Sequence, residues 1–119
     1  MKLLNLVMLS FLFLGCSIVP IQNIENVKIM PTQKKEHVKR VITNSATARG
    51  WKLSEKNEST LRAQLFVRSH EVIIDIPYSG SSFGISYVES KNMKYDGKAI
   101  HKKYMSWIQR LRTDILRNM

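Results

Sequence analysis

Alternation of apolar and polar residues predicts four strands in the middle of the chain. Apolar side chains recur there at a spacing of two, which places them on one face of a strand. The connections around residues 68–71 and 79–82 are short and favour antiparallel hairpins over crossovers. The predicted strands are Trp51-Lys52-Leu53, Thr60–Arg68, Glu71–Tyr78 and Phe83–Val88.

Two other segments repeat apolar residues at spacings of three and four, which predicts amphipathic helices. The first runs from about Lys34 to Ala48, and Gly50 is a natural stop because glycine tolerates left-handed backbone angles. The second runs from Ile100 to near Met119, and its apolar stripe is about 100° wide, as expected for one core-facing side. The stripe consists of Ile100, Tyr104, Trp107, Ile108, Leu111 and Ile115.

These elements predict an α+β fold with the order α-β-β-β-β-α. One face of the four-stranded antiparallel meander is apolar and must be covered. The two helices can both pack on that face, which gives a two-layer sandwich. The other face is polar and exposed to solvent, and its Arg62, Gln64 and Arg68 form the candidate interaction surface.

The chain begins with a short apolar run after Lys2. Residues 3–14 carry no charge, and these 12 residues would extend about 18 Å as a helix. A bilayer core is about 30 Å thick, so the run is too short to span it comfortably. The layout is typical of a signal peptide, and a buried N-terminal helix is the alternative.

The residues between this run and the first helix lack a sustained period. Pro20 and Pro31 interrupt residues 17–33, among scattered Asn and Gln. Such a composition predicts a tether. The alternative is a short strand or a contact formed by the apolar residues Ile18, Val19, Ile21 and Ile24.

The sequence Phe13-Leu14-Gly15-Cys16 resembles the lipobox of bacterial lipoproteins, although Phe13 stands where leucine is usual. The resemblance implies cleavage between Gly15 and Cys16 and a lipid anchor on Cys16. It also implies sorting to the outer membrane, because Ser17 replaces the aspartate that tends to retain such proteins at the inner membrane. The expected division is a signal peptide (1–15), a lipidated cysteine and tether (16–33) and a globular domain (34–119).

A second resemblance covers about Ala48 to Ile115. The segments that carry it look like those of small uncharacterised lipoproteins of Gram-negative bacteria. That family implies a shared fold and an envelope location but brings no established activity. The segments are Arg49-Gly50-Trp51, Val67-Arg68-Ser69-His70, Tyr87–Gly97 and Ile100–Tyr104.

Length and composition limit the function classes. The 119 residues allow one domain plus a tail, and an apolar content of 44% is too high for full disorder. The single cysteine excludes an internal disulfide and a multi-cysteine zinc site. A net charge of +10 suits an anionic partner or simply a solvated basic surface.

The sequence contains no recognised catalytic or metal motif. His37, His70 and His101 have no metal-ligand spacing, so we interpret them as surface histidines. No serine lies in a Gly-x-Ser-x-Gly elbow. The run Ser79-Gly80-Ser81-Ser82 lacks the following helix and the Lys-Ser/Thr ending of a phosphate loop. We therefore expect no catalytic residue, no metal and no cofactor, and a protein that is not an enzyme.

Three hypotheses for the function follow. The first is a non-enzymatic binding or structural module, anchored by lipid at the periplasmic face of the outer membrane, with an envelope protein as a candidate partner. The second is a basic module that binds anionic envelope polymers or lipid headgroups. The third is a small hydrolase, which the missing motifs disfavour. Nucleic acid is excluded as a partner because the export signal separates the protein from cytosolic DNA.

Overall fold

A computed structural model of the protein describes residues 17–119. The predicted signal peptide and Cys16 lie outside these residues. The secondary structure elements, in chain order, are β1 (Ile18–Pro20), β2 (Ile24–Lys28), α1 (Lys35–Ala48), β3 (Lys52–Asn57), β4 (Thr60–Val67), β5 (His70–Pro77), β6 (Ser82–Lys91), β7 (Ala99–His101) and α2 (Lys103–Asn118).

The strands form one five-stranded and one two-stranded sheet, both antiparallel. The large sheet has the order β2-β6-β5-β4-β3, and β1 pairs with β7 in the small one. The α+β class is therefore confirmed, and β3 to β6 lie side by side in chain order within a larger sheet. The prediction of a four-stranded sheet was incomplete, because β2 adds a fifth strand beside β6.

The segment expected to be a tether is part of the fold in its described portion. Ile24 pairs with Ile85 and Val27 with Phe83, and Ile29 is buried at 3% exposure. The alternative of a short strand is the correct one. The backbone amides and carbonyls here gain hydrogen-bond partners from β6 and β7, and the apolar side chains pack against the core. These gains outweigh the loss of strand pairing caused by the two prolines.

The core lies between one face of the large sheet and the two helices. The inward positions of β4 and β5 pack with those of both helices in a single cluster. Helix α1 contributes Val38 and Ile42, and α2 contributes Tyr104, Ile108 and Leu111, each at most 1% exposed. The apolar residues spaced by two in the strands and by three or four in the helices thus face one another in a single apolar layer, as predicted.

Helix α2 begins later than predicted. Ile100 belongs to β7, and the helix starts at Lys103. Ile100 is nevertheless fully buried, which is why its spacing from Tyr104 looked helical. Trp107 is only partly buried and packs at the rim of the core. Helix α1 ends as predicted, with Gly50 in the left-handed region at φ +92°.

The two edges of the large sheet differ in form. On β2 the pairing with β6 shifts between Ile24 and Val27, and Asn26 adopts a left-handed φ of +50°. On β3 the residues from Ser54 onward are exposed and include Glu55 and Lys56. Neither edge is a long regular apolar strand.

Candidate functional site

The open face of the large sheet carries an ion cluster around Asp75. Arg62 donates from Nε to Oδ1 at 2.8 Å and from Nη2 to Oδ2 at 3.1 Å, and Lys56 Nζ lies 2.8 Å from Oδ2. The hydrogen bond from Arg62 lowers the pKa of Asp75 against the opposing effect of burial, and Lys56 lowers it further. Arg62 and Asp75 face each other in the register of β4 and β5, so the cluster fastens the two strands.

The predicted interaction surface of Arg62, Gln64 and Arg68 is only partly assembled. Gln64 follows Arg62 on the same face and donates to Glu71 at 2.5 Å. Arg68 instead lies in the turn between β4 and β5, with a left-handed φ of +57°. The pairing of Val67 with His70 leaves Arg68 and Ser69 as the two turn residues, which rotates Arg68 away from the strand alternation.

A cleft of about 430 Å³ lies where β2 and β6 meet the ends of β4 and β5. Gly84, which lines it, lets β2 and β6 approach closely, because a Cβ there would lie 2.8 Å from the Ile24 carbonyl oxygen. Ser79 on its wall accepts hydrogen bonds from the Ser81 and Ser82 amides, each at 3.2 Å. These serines therefore hold the turn, in agreement with the polar hairpin predicted for this run.

The opposite end of the molecule, where β1, β7 and the start of α2 meet, is the β1–β7 end. The Ser17 carbonyl oxygen accepts a hydrogen bond from the Lys102 amide at 3.2 Å, and the Ile21 amide donates to the Lys98 carbonyl at 3.0 Å. Asp96 Oδ1 accepts from the amides of Lys98 (2.9 Å) and Ala99 (2.8 Å), and these bonds hold a turn at Asp96-Gly97.

Three tyrosine rings pack against one another beside this end, and Tyr87 meets Tyr104 edge to face. The ring of Tyr87 lies 4.7 Å from that of Tyr95 and 5.8 Å from that of Tyr104, measured between centroids. Tyr104 is buried, and burial raises the pKa of its phenol. Tyr95 is 43% exposed. The three rings thus pack along the connection between β6 and α2, with Tyr95 at the surface.

The structure also brings His70 and His101 together, with 6.0 Å between ring centroids. His70 Nδ1 lies 2.6 Å from the Asn92 carbonyl and so carries the proton, whereas His101 Nδ1 accepts from the Lys103 amide at 3.1 Å. Burial, followed by Lys103 and Lys94, lowers the pKa of His101. Sequence spacing gave no sign of this approach, because it depends on β5 and β7 meeting in space.

This pair is not part of a larger metal-ligand group. Among residues 17–119, no three or more His, Cys, Asp or Glu side chains lie where they could hold a metal ion. In its neutral form His101 accepts at Nδ1 and therefore carries its proton on Nε2, which removes the lone pair that a metal would need there. The His70–His101 pair is best described as a contact between the β4–β5 turn and the start of α2.

A shallow groove of about 190 Å³ lies between α2 and the start of β3. Its apolar wall consists of Trp51, Leu65, Val67 and Trp107, and Arg49 and Arg110 stand beside them. Arg49 is engaged with Asp114, its Nε 2.6 Å from Oδ2, and this contact lowers the pKa of Asp114. Arg110 is exposed and forms no ion pair within the described part of the chain.

The chain matches no family model, no curated protein sequence and no solved structure. In the portion of the chain that the structure covers, no helix combines the length and apolar character needed to cross a bilayer.

Proposed function

We propose that this protein is a bacterial lipoprotein, anchored through Cys16 at the periplasmic face of the outer membrane, whose domain is a non-enzymatic binding or structural module. The observation that carries the proposal is the sequence Phe13-Leu14-Gly15-Cys16 at the end of a short apolar run. A lipoprotein needs a folded domain that starts after its cysteine, and β1 begins at Ile18.

The carboxylates of the domain favour a structural role over a catalytic one. Asp75 and Asp114 are the buried carboxylates of the described chain, at 8% and 9% exposure. Each accepts hydrogen bonds from an arginine, Arg62 and Arg49 respectively. A carboxylate held charged by arginine at neutral pH is a poor general acid, since such acids need a raised pKa.

Incorporation of a labelled fatty acid tests the anchor. We expect the wild-type chain, expressed in a Gram-negative host, to incorporate labelled palmitate and to lose the mass of residues 1–15. Cys16→Ala should remain unprocessed and unlabelled, whereas the matched control Ser17→Ala should be processed normally. A wild-type chain that carries no acyl group would contradict the proposal.

Membrane fractionation tests the location. Wild-type protein is expected in the outer membrane fraction. Ser17→Asp is expected to shift it toward the inner membrane, because the resemblance to lipoproteins assigns sorting to this position. Recovery of the lipidated wild type in the inner membrane would contradict the outer membrane location while leaving the anchor intact.

A second candidate is a module that binds an anionic envelope polymer, and the groove beside Trp107 favours it. An arginine guanidinium can bind an anionic group, and an indole ring beside it can stack on the face of a sugar or an aromatic ring. We expect binding to purified lipopolysaccharide to weaken with added salt and with Arg110→Gln, but not with the control Lys34→Gln. An affinity that changes neither with salt nor with Arg110→Gln would eliminate this candidate.

A further inference from the structure

The folded domain starts directly beside the proposed anchor. Ser17 is hydrogen-bonded to the Lys102 amide, and Ile18 and Val19 pair with His101 and Ile100. Consecutive Cα atoms are about 3.8 Å apart. A lipid on residue 16 therefore emerges next to the first turn of α2, with no free segment between the membrane and the β1–β7 end.

The β1–β7 end is rich in positive charge. Residues 91–103 contain five lysines and one acidic residue. The acidic residue, Asp96, is occupied by the backbone amides of its own turn, and Lys91 forms the ion pair with Glu71 at 3.6 Å. The other four are exposed and form no ion pair among residues 17–119; these β1–β7 lysines are Lys94, Lys98, Lys102 and Lys103.

An exposed aromatic side chain lies within the same segment. Tyr95 is 43% exposed while its ring stacks 4.7 Å from Tyr87. A tyrosine with one packed side and one wet side suits the boundary between water and lipid headgroups, where aromatic residues concentrate. Lysine stems and a tyrosine ring together form the kind of surface that lies on a bilayer.

We propose that the β1–β7 end binds the anionic headgroups of the membrane into which the anchor inserts, so that the domain rests on the membrane surface. This inference depends on the lipid anchor proposed above. A lysine close to an anionic membrane strengthens binding by about fivefold, and the effect decays within a Debye length of about 8–10 Å. Lys102 and Lys103 lie beside Ser17 and therefore inside that range. Lys98 lies beside Ile21 and comes within it when the β1–β7 sheet lies along the membrane.

The chemical reactivity of the lysines tests this arrangement in the processed, lipidated protein without substitutions. The protein is inserted into vesicles of phosphatidylcholine alone or of phosphatidylcholine mixed with phosphatidylglycerol. An amine-acetylating reagent is added, and mass spectrometry gives the rate at each lysine. Three exposed lysines without ion pairs serve as the internal reference, and these reference lysines are Lys28, Lys34 and Lys52.

We expect the β1–β7 lysines to react more slowly on phosphatidylglycerol vesicles than on phosphatidylcholine vesicles, and high salt to remove the difference. The reference lysines should react equally on both. Equal rates at the β1–β7 lysines on the two vesicles would overturn the proposal. So would protection of both lysine sets together, which would indicate adsorption without a preferred face or association between copies of this chain.

A pair of charge-matched variants provides the control. The triple variant Lys98→Gln/Lys102→Gln/Lys103→Gln should lose most of the protection at Lys94. The triple variant of the reference lysines to Gln removes the same charge elsewhere and should keep it. Loss of protection in both variants would overturn the assignment to this surface, because net charge alone would then explain binding.

The intact mass of the protein before insertion separates the two proposals. A mass without acyl groups would overturn the anchor, and with it this inference. An acylated chain whose β1–β7 lysines remain fully reactive on anionic vesicles would overturn only the surface proposed here, and the lipoprotein assignment would stand.

Discussion

Asp75 holds two basic side chains on the open face of the sheet, and its contribution depends on charge. Because the folded state lowers its pKa, the stabilisation is present above the ordinary carboxyl pKa of 3.8 and is lost as the pH falls below that value. Arg62 and Lys56 remain partly exposed, at 38% and 46%, so solvent screens part of the attraction.

We therefore predict that Asp75→Asn lowers the free energy of unfolding by about 1–2 kcal/mol at neutral pH. The matched control is Glu55→Gln, which removes the same charge from an exposed pair with Lys39 and should change little. Chemical denaturation at neutral pH and again below the ordinary carboxyl pKa measures both. A difference between wild type and Asp75→Asn that persists undiminished in acid would contradict the assigned role.

The stability of the start of α2 depends on the protonation state of His101. Its Nδ1 accepts a hydrogen bond from the Lys103 amide, and a proton on Nδ1 would break that bond and place positive charge at a helix N-terminus. The folded state lowers the pKa of His101 below 6.5. The unfolded chain then takes up the proton more readily, so stability falls as the pH drops below 6.5.

We predict that His101→Asn reduces the loss of stability between about pH 7.5 and pH 5.5. The asparagine oxygen can still accept from the Lys103 amide but does not titrate. His37→Asn, on α1, serves as the control for the loss of a histidine as such. Midpoints of denaturation at the two pH values decide the outcome, and equal pH dependence in wild type and His101→Asn would contradict it.

Helix α2 covers the sheet with a narrower stripe than its spacing predicted. Within the predicted stripe, Leu111 is fully buried, whereas Trp107 packs only at the rim of the core. Leu116, which was not part of the predicted stripe, is 37% exposed. A side chain contributes in proportion to the area removed from water and to the cavity that it leaves. Residue type alone is therefore a poor guide to which positions of α2 matter.

We predict that Leu111→Ala lowers the free energy of unfolding by about 2–5 kcal/mol. Leu116→Ala makes the same chemical change on the same helix and should cost less than about 1 kcal/mol. Trp107→Ala should lower the free energy of unfolding by less than the approximately 3–5 kcal/mol that truncation of a fully buried tryptophan costs. Denaturation by urea measures all three, and equal midpoints for the two leucine variants would show that α2 does not pack by this stripe.

The helices and the strands β3 to β6 could be predicted because each has a clear period. Strand β7 was not predicted, and β1 and β2 were predicted only as the alternative to a tether. Pro20 ends β1 and Asn26 interrupts β2, and their pairing partners lie far along the chain, at Ile100 and Ile85. The meeting of His70 with His101 and the turn position of Arg68 were hidden for the same reason, because both follow from strand register rather than from composition.

The whole molecule depends on its N-terminal residues more than their composition indicates. Residues 17–33 supply β1, β2 and the buried Ile29, and the Gln33 amide donates to the Gly80 carbonyl at 2.9 Å. Without them β6 becomes an edge strand, and the side chains of Phe83 and Ile85 become more exposed to solvent. A domain that starts at Lys34 is therefore incomplete.

We predict that a chain beginning at Lys34 unfolds at a lower temperature than a chain beginning at Ser17. Thermal unfolding followed by circular dichroism measures the difference. Ile29→Ala in the longer chain tests one buried contact of this segment separately and should lower the midpoint by a smaller amount. Coincident transitions for the two chain lengths would mean that β1 and β2 add nothing to the core.

The irregular edges of the large sheet affect how neighbouring molecules meet. A flat strand with free amides and carbonyls can recruit a strand from another molecule, and this is the first step toward aggregation. The register shift at Asn26 bends β2, and the exposed Lys52 of β3 repels a second copy. If the molecules are crowded on a surface, this geometry lets them lie side by side without joining their sheets, and replacing Lys52 with threonine should make the protein precipitate more readily.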